Sequence, residues 1–319
     1  MDALRYHSHG SPPEVLRLED LPERPLEEGE VRLKILAAPV NPADLNIIAG
    51  NYGVHPGLPA TAGLEGVGEV IESRAPGFSV GDHAMALRPV GSWATQAIGE
   101  AKNLFKLPAG LDPLQEAMLK VNPATAWKLL TSFATLPEGS SIIQNAANSA
   151  VGRCVIALAK HLGIRTINLV RRPELIDELM AIGADEVFVD SDEALERYRG
   201  DRPRLAFNCV GGESALRMMK QLGRGGIHIT YGAMARRPLT VPARALIFDD
   251  IQVRGLWITR WVEQADPAEV SEVYHKLSGL MQEGIVSIPV DATYPLGGYA
   301  AALARLDAPG RTGKILFTP

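Results

Sequence analysis

SIIQNAANSAVGRCVIALAKHLGIRTINLVRR, residues 141–172, is the stretch from which the rest of the chain can be read. An apolar run at 141–144 meets a loop of small residues at 145–152. Apolar positions then follow at helical spacing: Val151, Val155, Ile156, Leu158 and Leu162. A second apolar run, 166–170, ends abruptly in Arg171 and Arg172. Those periods spell strand, loop, helix, strand.

Such a unit makes a right-handed parallel crossover. Its loop presents backbone N–H groups at a helix start, where the helix dipole favours a diphosphate. The usual fingerprint is G-x-G-x-x-G, whereas this loop runs Asn145-Ala-Ala-Asn-Ser-Ala-Val-Gly152 with one glycine near the helix start. The loop alone therefore serves equally as a plain strand-to-helix connection. The end of the second strand adds the missing information, because that position meets the adenosine ribose and an Asp or Glu there selects NAD. Arg171 and Arg172 instead suit a 2′-phosphate, which guanidinium groups grip in a forked geometry; a solvated strand end is the other reading of the pair. The unit as a whole reads as an NADP(H) site.

At 319 residues the chain has room for two domains, each with its own core. Its 46% hydrophobic and 22% charged residues are those of a globular protein. A net charge of −5 and the lack of a basic run argue against nucleic acid as a partner. No apolar stretch is long enough to suggest a membrane span. The N-terminal residues MDALRYHSHG resemble neither a signal peptide nor a transit sequence, and Cys154 and Cys209 read as buried thiols of a reducing compartment, so a cytoplasmic location is expected.

Up to about residue 108 the chain shows short alternating runs, EVRLKILAAPV, EGVGEVIES, DHAMALRPV and SWATQAI, punctuated by Gly and Pro. A short helix is predicted at 42–49, and a largely helical bridge at 113–136. Strands are predicted at 141–144, 166–170, 186–189, 204–209, 226–231 and 251–258 with helices between most of them, the alternation of a doubly wound parallel sheet. The tail departs from that rhythm, with a helix near 268–283, a segment VSIPVDATYPL, a helix at 298–306 and a last strand KILF. It is expected to return to the first domain.

A β-rich start, an inserted nucleotide-binding domain and a C-terminal return resemble the medium-chain dehydrogenase/reductase superfamily over essentially the whole chain. GLEGVGEV at 63–70 and PGFSVGDHAMAL at 76–87 look like its N-terminal barrel. The resemblance implies an α/β fold: a GroES-like β-rich catalytic domain at 1–118 and 264–319, and a Rossmann NADP-binding domain at 119–263. Zinc-dependent members carry a His where Leu64 stands and a four-cysteine lobe. This chain has two cysteines and no histidine pair at ligand spacing, so no metal is expected.

Within the superfamily, NPADLNIIAGNYGVHPGLP at 41–59, VNPATAWKLL at 121–130, IIQNAANSAVG at 142–152, FNCVGG at 207–212 and YGAM at 231–234 look like the zinc-free, mitochondrial-type 2-enoyl thioester reductases. These reduce the 2,3 double bond of a trans-2-enoyl-CoA or enoyl-carrier-protein thioester with NADPH. The work requires a hydride at the β-carbon, stabilisation of charge on the thioester oxygen and a proton for the α-carbon. Tyr52, in Gly50-Asn51-Tyr52-Gly53, matches the family's proton donor; a neutral phenol can donate to an enolate at pH 7.

For NADPH the resemblance implies Asn122 near the nicotinamide, Asn148, Ser149, Ala150 and Val151 around the diphosphate, and Arg171 and Arg172 at the 2′-phosphate. It also implies Tyr231, Gly232, Ala233 and Met234 beside the cofactor, Leu256, Trp257 and Ile258 lining the nicotinamide and acyl pocket, and Lys314 close to NADP. The plainer readings are Asn122 as a turn residue or helix cap, Asn148 and Ser149 as capping residues, Tyr52 as a packed loop aromatic, Trp257 as a strand residue of the core or an interface, and Lys314 as a surface cation. The apolar run at 251–258 would form a sheet edge through which two copies join, predicting a homodimer. Arg236, Arg237, Arg244, Arg254 and Arg260 could meet the phosphates of CoA or an acidic carrier protein. Two competing functions share this fold: a quinone or alkenal reductase, which needs no tyrosine donor, and a non-catalytic NADPH-binding interaction protein.

Overall fold

From residue 141 to residue 255 each strand is followed by a crossover that returns the chain in the same direction. The computed structural model describes all 319 residues and resolves them into two units, residues 122–263 and residues 1–121 with 264–319. The change from the first to the second falls three residues beyond the expected 118/119, and the return falls at 263/264.

In the second unit six strands lie parallel in the order Glu186–Val189, Arg165–Val170, Ser141–Gln144, Leu205–Asn208, Ile227–Thr230, Gln252–Gly255. SIIQ and LAFN are buried along their whole length, as strands covered by helices on both faces must be. Strand order reverses between these two neighbours, so a ligand crevice opens at their carboxyl ends. The helix Ala150–His161 starts there, and its apolar positions Val155, Ile156 and Leu158 are fully buried.

The expected strand at 251–258 stops at Gly255, and Ile258–Gln264 is helical. The neighbouring strand Ile227–Thr230 has four residues to offer, and its last pairing is Thr230 with Gly255. One further ladder bond, from Leu256 N to Thr230 O, closes the edge. The unpaired backbone then coils, with Trp261 N bonded to Trp257 O at helical spacing. Trp257 is therefore not a strand residue. The helical bridge at 113–136 likewise resolves into Pro113–Glu116 and Asn122–Thr131, with the unit boundary between them.

In the first unit the strand Glu30–Pro39 pairs antiparallel with both Val67–Ser73 and Gln96–Glu100. The tail returns to the same sheet: Val290–Tyr294 lies parallel to Lys314–Phe317, which runs antiparallel to Glu30–Pro39. Its KILF sequence is buried throughout, with Phe317 set edge-on to Trp93 at 5.0 Å between ring centroids. No helix is long and apolar enough to cross a membrane.

Candidate functional site

The turn after Ser141–Gln144 is built without the usual glycines, and the backbone shows how. Ala146 takes a left-handed conformation, φ 46°, where a glycine would sit without strain. Gly152 is indispensable: a Cβ there would lie 2.5 Å from Ala147 O, so only glycine lets the helix start this close to the loop. Ser149 caps the helix, its Oγ accepting from Gly152 N at 3.1 Å, which leaves the other first-turn N–H groups for a ligand. Asn148, Ser149, Ala150 and Val151 are all part-exposed on this turn.

A lattice of amides holds the crevice. Asn145, fully buried, donates from Nδ2 to Asn208 Oδ1 at 2.8 Å and to Ser214 Oγ at 2.9 Å, while its Oδ1 accepts from Cys209 N. Asn208 passes the link onward: Oδ1 accepts from Val210 N and Gly211 N, and Nδ2 donates to Thr230 Oγ1. The ends of three adjacent strands are thereby stitched at their carboxyl edge. Asn145 and Asn208 lie inside the quoted motifs, yet sequence reading passed over them as site residues. Their spacing of 63 residues carries no local signal.

Among the buried polar atoms this unit leaves without a partner are two from the quoted motifs. The Tyr231 hydroxyl is buried beside Cys209 and Ser149 and closes no hydrogen bond to either; burial first, then the Cys209 thiol, holds it well above the ordinary phenol range. Asn122, 5% exposed at the first position of its helix, keeps Nδ2 unbonded. Buried donors of this kind are costly unless a ligand satisfies them. Arg171 and Arg172 stand exposed directly beyond the strand Arg165–Val170, and neither joins an ion pair in the chain. Gly232 is part-exposed, Ala233 is exposed and Met234 is 62% exposed on the loop that follows Tyr231. Leu256 and Trp257 are half-buried and Ile258 buried at the turn into the next helix.

Tyr52 belongs to the first unit, half-buried against its core just beyond the helix Pro42–Ile48. The approach is fixed by Gly50, φ 74°, where a Cβ would meet the His9 ring at 3.0 Å, and by Asn51 N bonded to Asn46 O. At the other end of that helix lies a buried ionic cluster. Asp44 accepts from Asn41 N and Leu64 N, both at 2.8 Å. Glu65 accepts from Asn41 Nδ2 at 2.7 Å and Val121 N at 2.9 Å, and Lys314 Nζ donates to Asn41 Oδ1. Lys314, expected as a cofactor contact or a surface cation, is 7% exposed in the strand Lys314–Phe317, so the surface reading is wrong. Burial, with the Glu65 charge adding to it, pushes the Asp44 carboxyl up to about 7. Burial also raises Glu65, against the opposing pull of Lys314, Asn41 and Lys120. Sequence reading named Lys314 alone of this cluster.

The resemblance to a superfamily with zinc-dependent members raises the question of zinc. No three His, Cys, Asp or Glu side chains gather where they could share a metal ion, so the donor set does not fit one and no step is routed through a metal.

Comparison with known proteins agrees with the geometry. Residues 27–109 match the alcohol dehydrogenase GroES-like domain, and residues 150–277 match the zinc-binding dehydrogenase domain. The human mitochondrial enoyl-[acyl-carrier-protein] reductase is 39% identical over 99% of this chain and 88% of its own length; that of Arabidopsis thaliana is also 39% identical, with the same two coverages. A solved complex of Etr1p with NADP and crotonyl-CoA superposes with a TM-score of 0.88 at 29% identity, covering 100% of this chain and 99% of that one. An Etr1p/Etr2p heterodimer of mitochondrial 2-enoyl thioester reductase from Candida tropicalis has a TM-score of 0.88 at 28% identity and the same coverages. A putative NADPH:quinone reductase from Bacillus thuringiensis gives 0.93 at 26% identity, covering 100% and 98%. The mitochondrial relatives overturn the cytoplasmic location expected from the N-terminal residues and the two thiols. Address is read by receptors and is not written into the make-up of a folded domain.

Proposed function

Because the chain belongs to the mitochondrial enoyl-[acyl-carrier-protein] reductases of the medium-chain dehydrogenase/reductase superfamily, we propose the following division of labour for NADPH-dependent reduction of a 2-enoyl thioester. Residues 122–263 hold the nucleotide, and residues 1–121 with 264–319 supply the acid. NADPH, when bound, supplies the hydride that reaches the β-carbon of the substrate.

The chain's own residues do the rest. First-turn N–H groups at Ala150 and Val151, beside Asn148 and Ser149, take the diphosphate. Arg171 and Arg172 pair with the 2′-phosphate, and their lack of protein partners leaves both guanidinium groups free to do so. The unbonded Asn122 Nδ2 and Tyr231 hydroxyl are donors waiting for polar atoms of the nucleotide. Residues 232–234 and 256–258 flank it, and Lys314 acts from within the first unit through Asn41. The Tyr52 hydroxyl gives its proton to the α-carbon while the thioester oxygen carries the developing charge.

The observation that carries this reading is the pairing, in one chain, of a diphosphate turn edged by unpartnered buried donors with a tyrosine just beyond a firmly anchored short helix. NADPH oxidation with crotonyl-CoA tests it. Turnover is expected for the wild type, and Tyr52→Phe should lose on the order of 10² to 10⁴ in kcat with the fold intact. The likeness to a putative quinone reductase supports a second reading. Faster reduction of a benzoquinone, with its rate kept in Tyr52→Phe, would establish that alternative instead.

A second copy of the chain is proposed to pair along the edge strand Gln252–Gly255, which is exposed at all four residues and flanked by exposed Ile247 and Phe248. A monomer mass in light scattering at micromolar concentration would refute that. The exposed Arg236, Arg237, Arg244, Arg254 and Arg260 suit the phosphates of CoA or a carrier protein, which crotonyl thioesters of each would separate.

A further inference from the structure

Asn41 is bonded through every polar group of its backbone N–H and side chain. Its N–H goes to Asp44 Oδ2, its Nδ2 to Glu65 Oε1, and its Oδ1 receives the Lys314 ammonium. Asn41 is also the residue from which the helix Pro42–Ile48 departs, and that helix runs directly into the Gly50-Asn51-Tyr52 turn. Whatever sets Asn41 sets the start of the helix that leads to the acid.

Glu65 is the member of this cluster that reaches furthest. One carboxylate oxygen holds Asn41, and the other takes Val121 N–H at 2.9 Å, one residue before Asn122. The adjoining Leu64 repeats the pattern: its N–H goes to Asp44 Oδ1 and its carbonyl accepts from Lys120 Nζ, both at 2.8 Å. Residues 64–65 are thus stapled on one side to the start of the helix that leads to Tyr52 and on the other to the segment that leads into Asn122. Glu65 is 1% exposed, so no water competes for either oxygen. Lys314 and Lys120 lower the cost of keeping its charge inside.

We propose that Glu65 is a positioning residue for the proton transfer: by holding Asn41 and Val121 together it sets the Pro42–Ile48 helix, and with it the stance of the Tyr52 hydroxyl. The inference rests on the reductase reading. It requires a carboxylate. An amide of the same shape must turn an NH2 group toward either Asn41 Nδ2 or Val121 N–H, both of them donors, so one link is lost with almost no change of volume.

The test is a double-mutant cycle on the full chain, with Glu65→Gln, Tyr52→Phe and the two combined. Each is assayed for NADPH-dependent crotonyl-CoA reduction and for thermal unfolding. Glu65→Gln is expected to lower kcat on the order of 10- to 100-fold, with KM for either substrate moving by no more than about threefold. If it acts through Tyr52, adding it to Tyr52→Phe costs no more than about threefold further, because the group it positions has already gone. Losses that multiply, or a Glu65→Gln enzyme within about twofold of wild type, would overturn the proposal. Should Glu65→Gln fail to fold, Asn41→Ala takes its place in the cycle with the same two outcomes. A wild-type chain that leaves crotonyl-CoA unreduced sinks the reductase reading and the inference with it; an active wild type with multiplying losses sinks the inference alone.

Discussion

The two units brace their working ends mainly with different kinds of buried polar group. Behind Tyr52 the first unit encloses Asp44, Glu65, Lys120 and Lys314, all charged side chains at most 7% exposed. Around its crevice the second unit encloses Gln144, Asn145, Asn168 and Asn208, all fully buried and all neutral. Gln144 donates to Asn168 Oδ1 at 2.7 Å and to Gly152 O at 3.0 Å, and Asn168 donates onward to Thr166 Oγ1 and Glu186 O. An amide carries donor and acceptor without charge, so it can brace a phosphate site without repelling or titrating against it. Carboxylates and ammoniums brace more strongly and remain sensitive to pH and to the loss of any one member.

The largest effect that would break this comparison comes from deleting one charge. Lys314→Met leaves Glu65 and Asp44 without their shared cation and Asn41 Oδ1 without its donor. It should cost about 3–5 kcal/mol in denaturant unfolding. The matching deletion among the amides, Asn145→Ala, should cost about 1–3 kcal/mol, the desolvation left by unpaired neutral groups. Equal costs would show that charge is not what separates the two interiors.

Acidity sharpens the contrast with opposite signs. Asp44 in the folded chain is pushed up to about 7, mainly by burial, so its contribution to stability is complete below its ordinary carboxylate range and is lost as pH rises through about 7. His228, fully buried in the second unit with neither ring nitrogen hydrogen-bonded, is lowered by burial to about 4. Its contribution is complete above an ordinary histidine value near 6.5 and is lost as pH falls toward 4. Between pH 4 and 6.5 the two slopes oppose, each about 1.4 kcal/mol per pH unit at most. Removing Asp44 as Asn should make stability rise more steeply with pH; removing His228 as Leu should make it fall. Identical slopes in the two variants would dissolve the distinction.

Smaller effects test the nucleotide side. Replacing Arg171 and Arg172 by Ala should cut the preference for NADPH over NADH on the order of 10- to 100-fold, the worth of one or two charge-assisted hydrogen bonds, read as the ratio of kcat/KM values. A ratio that does not move would return the pair to a solvated strand end. Smallest of all, Ala146→Gly should add roughly 0.5–1 kcal/mol of stability by relieving the left-handed alanine, offset by the greater freedom glycine has when unfolded.

Much of the architecture was legible because it is written at short range. The periods in 141–172, the apolar runs LAFN and KILF, and the small residues before Gly152 each specify a local element, and the strand-helix alternation then admits few topologies. Arg171, Arg172 and Ser149 could be placed for the same reason, since a strand end and a helix cap are local positions. Trp257 was misread because a strand's length depends on its neighbour: LWITRW alternates well enough, but Ile227–Thr230 had nothing left to pair with it.

The ionic cluster needed the tertiary structure altogether. Asn41 and Lys314 are 273 residues apart, and Asn41 and Glu65 are 24 apart across a strand and a helix. A buried charge is tolerated only where its partners converge, and convergence is a property of the folded chain, invisible in composition or spacing. By itself the sequence determined a parallel sheet, the strand-loop-helix turn at its centre and a β-rich partner to it. Only the folded chain decided that Lys314 points inward, that Glu65 ties Asn41 to Val121, and that the tyrosine's helix is held by charge, because burial and pairing are settled together when distant segments close on one another.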